Sequence, residues 1–153
     1  MELKRELTAT QVKEVLRHVI NNNVKLSEQG KKPVALSILG NAGIGKTSII
    51  HQVAEDEGMN FVRLNLAEIV VDDLVGYPVK EYEYVKGDDH IWINENLIQY
   101  YVNHQGYVPT NRNQMSYATP QWLTGKMDKP LILFLDDASR ASLNLMQATM
   151  TII

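Results

Sequence analysis

An α/β fold built on parallel strands is what this chain predicts, and three features carry that expectation. Residues 34–39 (Val-Ala-Leu-Ser-Ile-Leu) form an apolar run that leads through a glycine-rich segment into a helical pattern from Thr47. Residues 131–135 (Leu-Ile-Leu-Phe-Leu) are continuously apolar, as suits a parallel strand covered on both faces. Between them, residues 61–66 (Phe-Val-Arg-Leu-Asn-Leu) read as a second buried strand with helical patterns on either side.

The remaining elements follow in chain order. Thr10 caps a helix over 11–22, in which Val12, Val15, Leu16, Val19 and Ile20 recur on one face. Asn21, Asn22 and Asn23 fray its end, and residues 27–33 loop into the strand at 34–39. The helix from Thr47 stops near Gly58, a natural C-terminal glycine. A short helix at 67–74 ends at Gly76-Tyr-Pro78. Residues 81–85 and 90–93 flank Lys86-Gly-Asp-Asp89 as a hairpin. Residues 96–103 read as a helix and 106–116 as a polar loop. A last helix spans 142–153, with Leu143, Met146 and Met150 spaced for one face. One domain over 1–153, with an insertion at about 77–118, accounts for the chain without repeats or low-complexity segments.

Composition narrows the function classes. A chain of 153 residues can bury about two-thirds of its unfolded surface. A net charge of −3 and a pI near 5.8 provide no global attraction to nucleic acid, so nucleic acid is not indicated. The absence of cysteine excludes disulfides and thiolate chemistry. The start, Met-Glu-Leu-Lys-Arg-Glu, is too charged for a signal peptide, and no apolar run approaches the ~18 residues of a membrane span. The cytoplasm is the expected location.

The chemistry centres on Gly40-Asn-Ala-Gly-Ile-Gly-Lys-Thr47, which fits the phosphate-loop pattern G-x-x-x-x-G-K-[ST] at every fixed position. Its glycines let successive N–H groups converge on a phosphate, and the following helix adds its positive dipole end. Lys46 is expected to reach the β- and γ-phosphates of a nucleoside triphosphate, and the Thr47 hydroxyl to hold Mg²⁺. The binding set is Gly40, Asn41, Ala42, Gly43, Ile44, Gly45, Lys46, Thr47 and Ser48. The strand at 131–135 runs into Asp136-Asp137, the Walker B arrangement. Asp136 would hold the Mg²⁺ shell and Asp137 would orient or deprotonate the attacking water. A strand-end carboxylate can also merely cap a helix.

Four segments in order resemble the MoxR-like and dynein-related branch of the AAA+ ATPases. The phosphate loop is similar to that group's G-x-P-G-x-G-K-T, with Ala42 in place of proline. Asp72-Asp-Leu-Val-Gly-Tyr-Pro-Val79 resembles its D-L-x-G-x-P-V segment, and Pro120-Gln-Trp-Leu123 its P-x-W-L stretch. Leu133-Phe-Leu-Asp-Asp-Ala-Ser-Arg-Ala141 is similar to L-F-L-D-E-x-N-R-A, with Asp137 for the usual Glu and Ser139 for Asn. The resemblance implies the three-layer αβα sandwich of P-loop NTPases, with five parallel strands in the order 5-1-4-3-2. It also implies Mg-ATP hydrolysis in a homo-oligomeric ring, a hexamer in this family, that remodels or assembles macromolecular complexes. Strands four and five, the arginine-finger region and the lid have no counterpart here, so the expectation is an incomplete core. Direct pairing in a smaller sheet and a partner that fills the gap are the alternatives.

Other residues are read both ways. The seven tyrosines fall between Tyr77 and Tyr117, near Trp92. They pack a hairpin, line a substrate-gripping loop, or stack single-stranded nucleic acid. Arg140 either pairs with a nearby carboxylate or acts on a neighbouring subunit's nucleotide. Asp72 and Asp73 cap or solvate a short helix, and the four histidines lack metal-ligand spacing. Two rival functions remain: a nucleotide-binding interaction module without efficient hydrolysis, resting on Asp137, and a P-loop small-molecule kinase. The kinase needs a basic lid, and beyond Lys129 only Arg140 is basic.

Overall fold

The computed structural model describes residues 6–152; the charged start that argues against a signal peptide lies largely outside them, as does Ile153. In chain order the elements are α1 (Ala9–Glu28), α2 (Lys46–Asp56), β1 (Asn60–Asn65), α3 (Val71–Val75), β2 (Pro78–Lys86), β3 (Asp89–Asn94), a 3-10 turn (Glu95–Leu97), α4 (Ile98–Gln105), β4 (Val108–Tyr117), β5 (Leu131–Asp136), a second 3-10 turn (Ala138–Arg140) and α5 (Leu143–Ile152). The described residues divide into two compact units, 6–70 with 125–152, and 71–124. No helix among the described residues is long and apolar enough to cross a membrane.

In the first unit, α1 starts earlier than its periodicity predicts and runs further. Thr8, not Thr10, is the cap: its hydroxyl accepts from Gln11 N while Gln11 Oε1 accepts from Thr8 N at 2.9 Å, a reciprocal box. The asparagines do not fray the helix, which continues to Glu28. Asn23 spends its amide elsewhere, donating to Val34 O at 2.9 Å and accepting from Val34 N at 2.8 Å. Its side chain therefore does not compete for the helix backbone. Leu16, Ile50 and Val53 are buried, with Val12, Ile20, Ile38, Ile49, Phe61, Ile132 and Phe134 packed around them. Arg17 ties α1 to the end of α2 through Asp56 at 2.9 Å and Glu57 at 3.0 Å.

β1 and β5 pair in parallel from Asn60↔Leu131 to Asn65↔Asp136, adjacent as the second and third strands are in the order the resemblance implies. Phe61 stacks on Phe134 with centroids 6.4 Å apart, and His51 meets Phe61 edge-on at 5.0 Å. The strand expected at 34–39 is absent: the segment joins no ladder, and Leu39 is 92% exposed. A strand needs a neighbour to satisfy its backbone, and among the described residues β5 pairs only with β1. The parallel sheet is accordingly two-stranded, and β5 is half-buried along its length instead of fully covered. In α5 the buried residues are Leu145 and Thr149; Leu143 and Met150, two of the three residues spaced for one face, are exposed. The helix expected at 67–74 begins only at Val71, because residues 65–68 form a turn held by Asn65, whose Oδ1 accepts from Ala67 N at 3.1 Å.

The second unit is an antiparallel sheet in the order β3-β2-β4. The hairpin extends until Lys86 pairs with Asp89, leaving Gly87-Asp88 as its turn; Gly87 takes φ 61°, the left-handed first position of a type II′ turn. β4 replaces the polar loop expected at 106–116. It is an edge strand, so Thr110, Arg112 and Gln114 show no apolar alternation although β2 satisfies the backbone along one side. Tyr84, Ile93 and Tyr107 are buried among Tyr82, Ile91, Ile98 and Tyr101, so much of the tyrosine cluster is core. The helix expected at 96–103 is a 3-10 turn followed by α4.

Candidate functional site

The site forms within the first unit, where the loop before α2 meets the ends of β1 and β5. Gly43 and Gly45 adopt φ of 79° and 88°, and a Cβ on either would meet nothing within 4 Å. Their backbone conformation, rather than crowding, calls for glycine. Gly40 is different, since a Cβ there would come within 2.6 Å of Ile44 Cδ1. Gly45 caps α2 without a side-chain acceptor, so no side chain takes up the first-turn N–H groups of Lys46, Thr47 and Ser48. Such a helix end suits an anion. Lys46 folds back over the loop, donating to Gly40 O at 2.6 Å and Asn41 O at 2.8 Å.

The acidic side of the site comes from strand register. Residues paired across parallel strands share a face, so the face bearing Phe61 and Phe134 ends in Arg63, Asn65 and Asp136. Arg63 sets its guanidinium on one oxygen: Nε donates to Asp136 Oδ2 at 2.8 Å, and Nη2 lies 2.6 Å from it as an ion-pair contact. The other oxygen, Oδ1, accepts from Asp137 N at 2.9 Å. Asp137 sits in the left-handed region at φ 55°, and its Oδ2 is 3.3 Å from Arg140 Nη1. Arg140 thus takes the local pairing of the two roles considered for it.

These groups share one cleft of about 540 Å³. Gly40, Ala42, Gly43, Gly45, Lys46, Thr47 and Ser48 line one side, with Asp136 and Asp137 opposite. Of the residues chosen from sequence, Asn41 enters through its carbonyl to Lys46, and the Ile44 side chain, 59% exposed, is not in the lining. Arg63 completes the lining and was not foreseen. The available signal was a lone charge within the otherwise apolar stretch Phe61-Val-Arg-Leu64. No group of three His, Asp or Glu side chains able to hold a metal occurs among the described residues. The oxygens on offer in the cleft, from Thr47 and the Asp136–Asp137 pair, suit a hard cation that takes its other ligands from water and phosphate.

A family model described as "ATPase family associated with various cellular activities (AAA)" matches residues 36–149. No curated protein and no solved structure matches the chain.

Proposed function

Since the chain belongs to the AAA family of ATPases, we propose that it binds Mg-ATP in the cleft between residues 40–48 and Asp136-Asp137 and hydrolyses it there. The observation that carries this reading is the convergence of an uncapped helix N-terminus, a lysine and two carboxylates on one cleft. The backbone N–H groups from Gly43 to Ser48 hold the phosphates. Lys46 exchanges its two loop carbonyls for β- and γ-phosphate oxygens, so the same charge closes the free loop and binds the nucleotide. Thr47 and Asp136 hold Mg²⁺, which neutralises charge on the transferred phosphoryl group when bound. Asp137 takes a proton from, or orients, the water that attacks the γ-phosphorus while ADP leaves.

The finer reading is a MoxR-like or dynein-related ATPase of the cytoplasm, working as a homo-oligomeric ring on a macromolecular complex. Its support is the four-segment resemblance together with the family match. A second reading, nucleotide binding without efficient hydrolysis, is favoured by one observation: the Asp137 carboxylate is held by Arg140. Turnover of Mg-ATP across a wide protein concentration range, for wild type and Asp137→Glu, separates the two. A shared active site makes specific activity rise with concentration; a binding module stays silent, and Asp137→Glu then raises turnover by about tenfold or more.

A further inference from the structure

We propose that Arg63 is a cation latch on the metal-binding carboxylate. Its guanidinium holds Asp136 Oδ2, and a divalent cation that binds that oxygen has to displace it. The inference rests on the Mg-ATP reading above and adds a residue that neither the phosphate loop nor the acidic pair contains.

The guanidinium is seated on Oδ2, Nε donating at 2.8 Å and Nη2 in ion-pair contact at 2.6 Å, while Oδ1 accepts from Asp137 N at 2.9 Å. Oδ1 keeps a lone pair, so the competition is at Oδ2, where a metal and the guanidinium seek the same oxygen and one cation displaces the other. The pair is placed to exchange. The Asp136 side chain is 21% exposed, which strengthens its attraction for either cation, whereas Arg63 is 50% exposed and free to swing. Arg63 also borders a second hollow of about 370 Å³ that Asn65 and Glu68 line, which leaves open space beside it for a displaced guanidinium. Without metal, Arg63 cancels the charge that Asp136 would otherwise turn toward the phosphates. With metal, that charge is returned to the cation. The latch thus lets the site accept a polyanion and opposes metal binding at Asp136 Oδ2 before nucleotide arrives.

The test is calorimetric titration of ATP into the full chain, once in EDTA and once in excess Mg²⁺, reading the ratio of the two dissociation constants. Arg63→Gln bares Asp136, so metal-free binding weakens while Mg²⁺ loses its competitor. The ratio is expected to rise by about tenfold, the scale of one charge-assisted contact. Arg63→Lys keeps the charge but loses the planar guanidinium that sets both Nε and Nη2 against Oδ2, and its ratio falls between. If Arg63→Gln does not fold, the intermediate rise in Arg63→Lys carries the test. A ratio unchanged within about twofold, in a variant that still binds ATP through Lys46, overturns the latch and leaves the ATP reading intact. Wild type with no Lys46-dependent binding in either buffer overturns both.

Discussion

At the scale of single residues, each side of the cleft is set by a different constraint. The loop residues 40–47 are contiguous, so spacing alone identified them, and the left-handed conformations of Gly43 and Gly45 are what that spacing encodes. Arg63 escaped because its partner lies 73 residues away and meets it only through the β1–β5 register. The same contrast between local and distant constraint separates two glycines elsewhere. Gly76 has φ 91°, and a Cβ there would stand 1.9 Å from Ala118 O; Gly58 has φ 64° with nothing within 4 Å. Gly76→Ala adds a backbone clash to conformational strain and is expected to cost about 3 kcal/mol or more, against about 1 kcal/mol for Gly58→Ala. Urea denaturation of the two variants checks the order.

Among the elements, periodicity identified those with one buried face and misplaced those whose backbone is satisfied by other means. Of the α1 stripe, Val12, Leu16 and Ile20 were legible because helix–helix packing imposes them, whereas Val15, expected on the same face, is exposed. Leu16→Ala is expected to lose about 2–4 kcal/mol in chemical denaturation, and Thr8→Ala about 1 kcal/mol. Edge strand β4 was not legible, because a strand paired on one side and wet on the other needs no apolar alternation. Residues 34–39 failed in the opposite direction: their apolar pattern suits a strand, yet no strand pairs with them. The amides of residues 35–39 are expected to exchange with solvent far faster than those of β5, as hydrogen exchange would read.

The second sheet carries its own pH dependence. Glu83 is 4% exposed and is held below the ordinary glutamate range, first by the Thr110 hydroxyl at 2.6 Å and then by His90 at 3.0 Å. A carboxylate whose pKa is lowered by folding contributes fully above the ordinary glutamate value. That contribution is lost as pH falls through the lowered value. Near-ultraviolet circular dichroism of the tyrosine-rich sheet should therefore weaken in acid and hold at neutral pH, and Glu83→Gln should flatten that acid limb.

For the whole molecule, the parallel pairing of β1 with β5 was legible and is the feature on which the site depends. It carries Asp136 to the edge where the loop before α2 opens. The extent of the sheet was less legible. Strand count depends on pairing between distant segments, and a motif's spacing within one segment does not contain it. The central claim remains local, that this cleft takes Mg-ATP through Lys46. Calorimetric titration of Mg-ATP into wild type and Lys46→Ala tests it most directly. One nucleotide per chain, with affinity reduced about 100-fold in the variant, is the predicted result. Equal affinity in the two proteins, or no heat of binding in wild type, would contradict it.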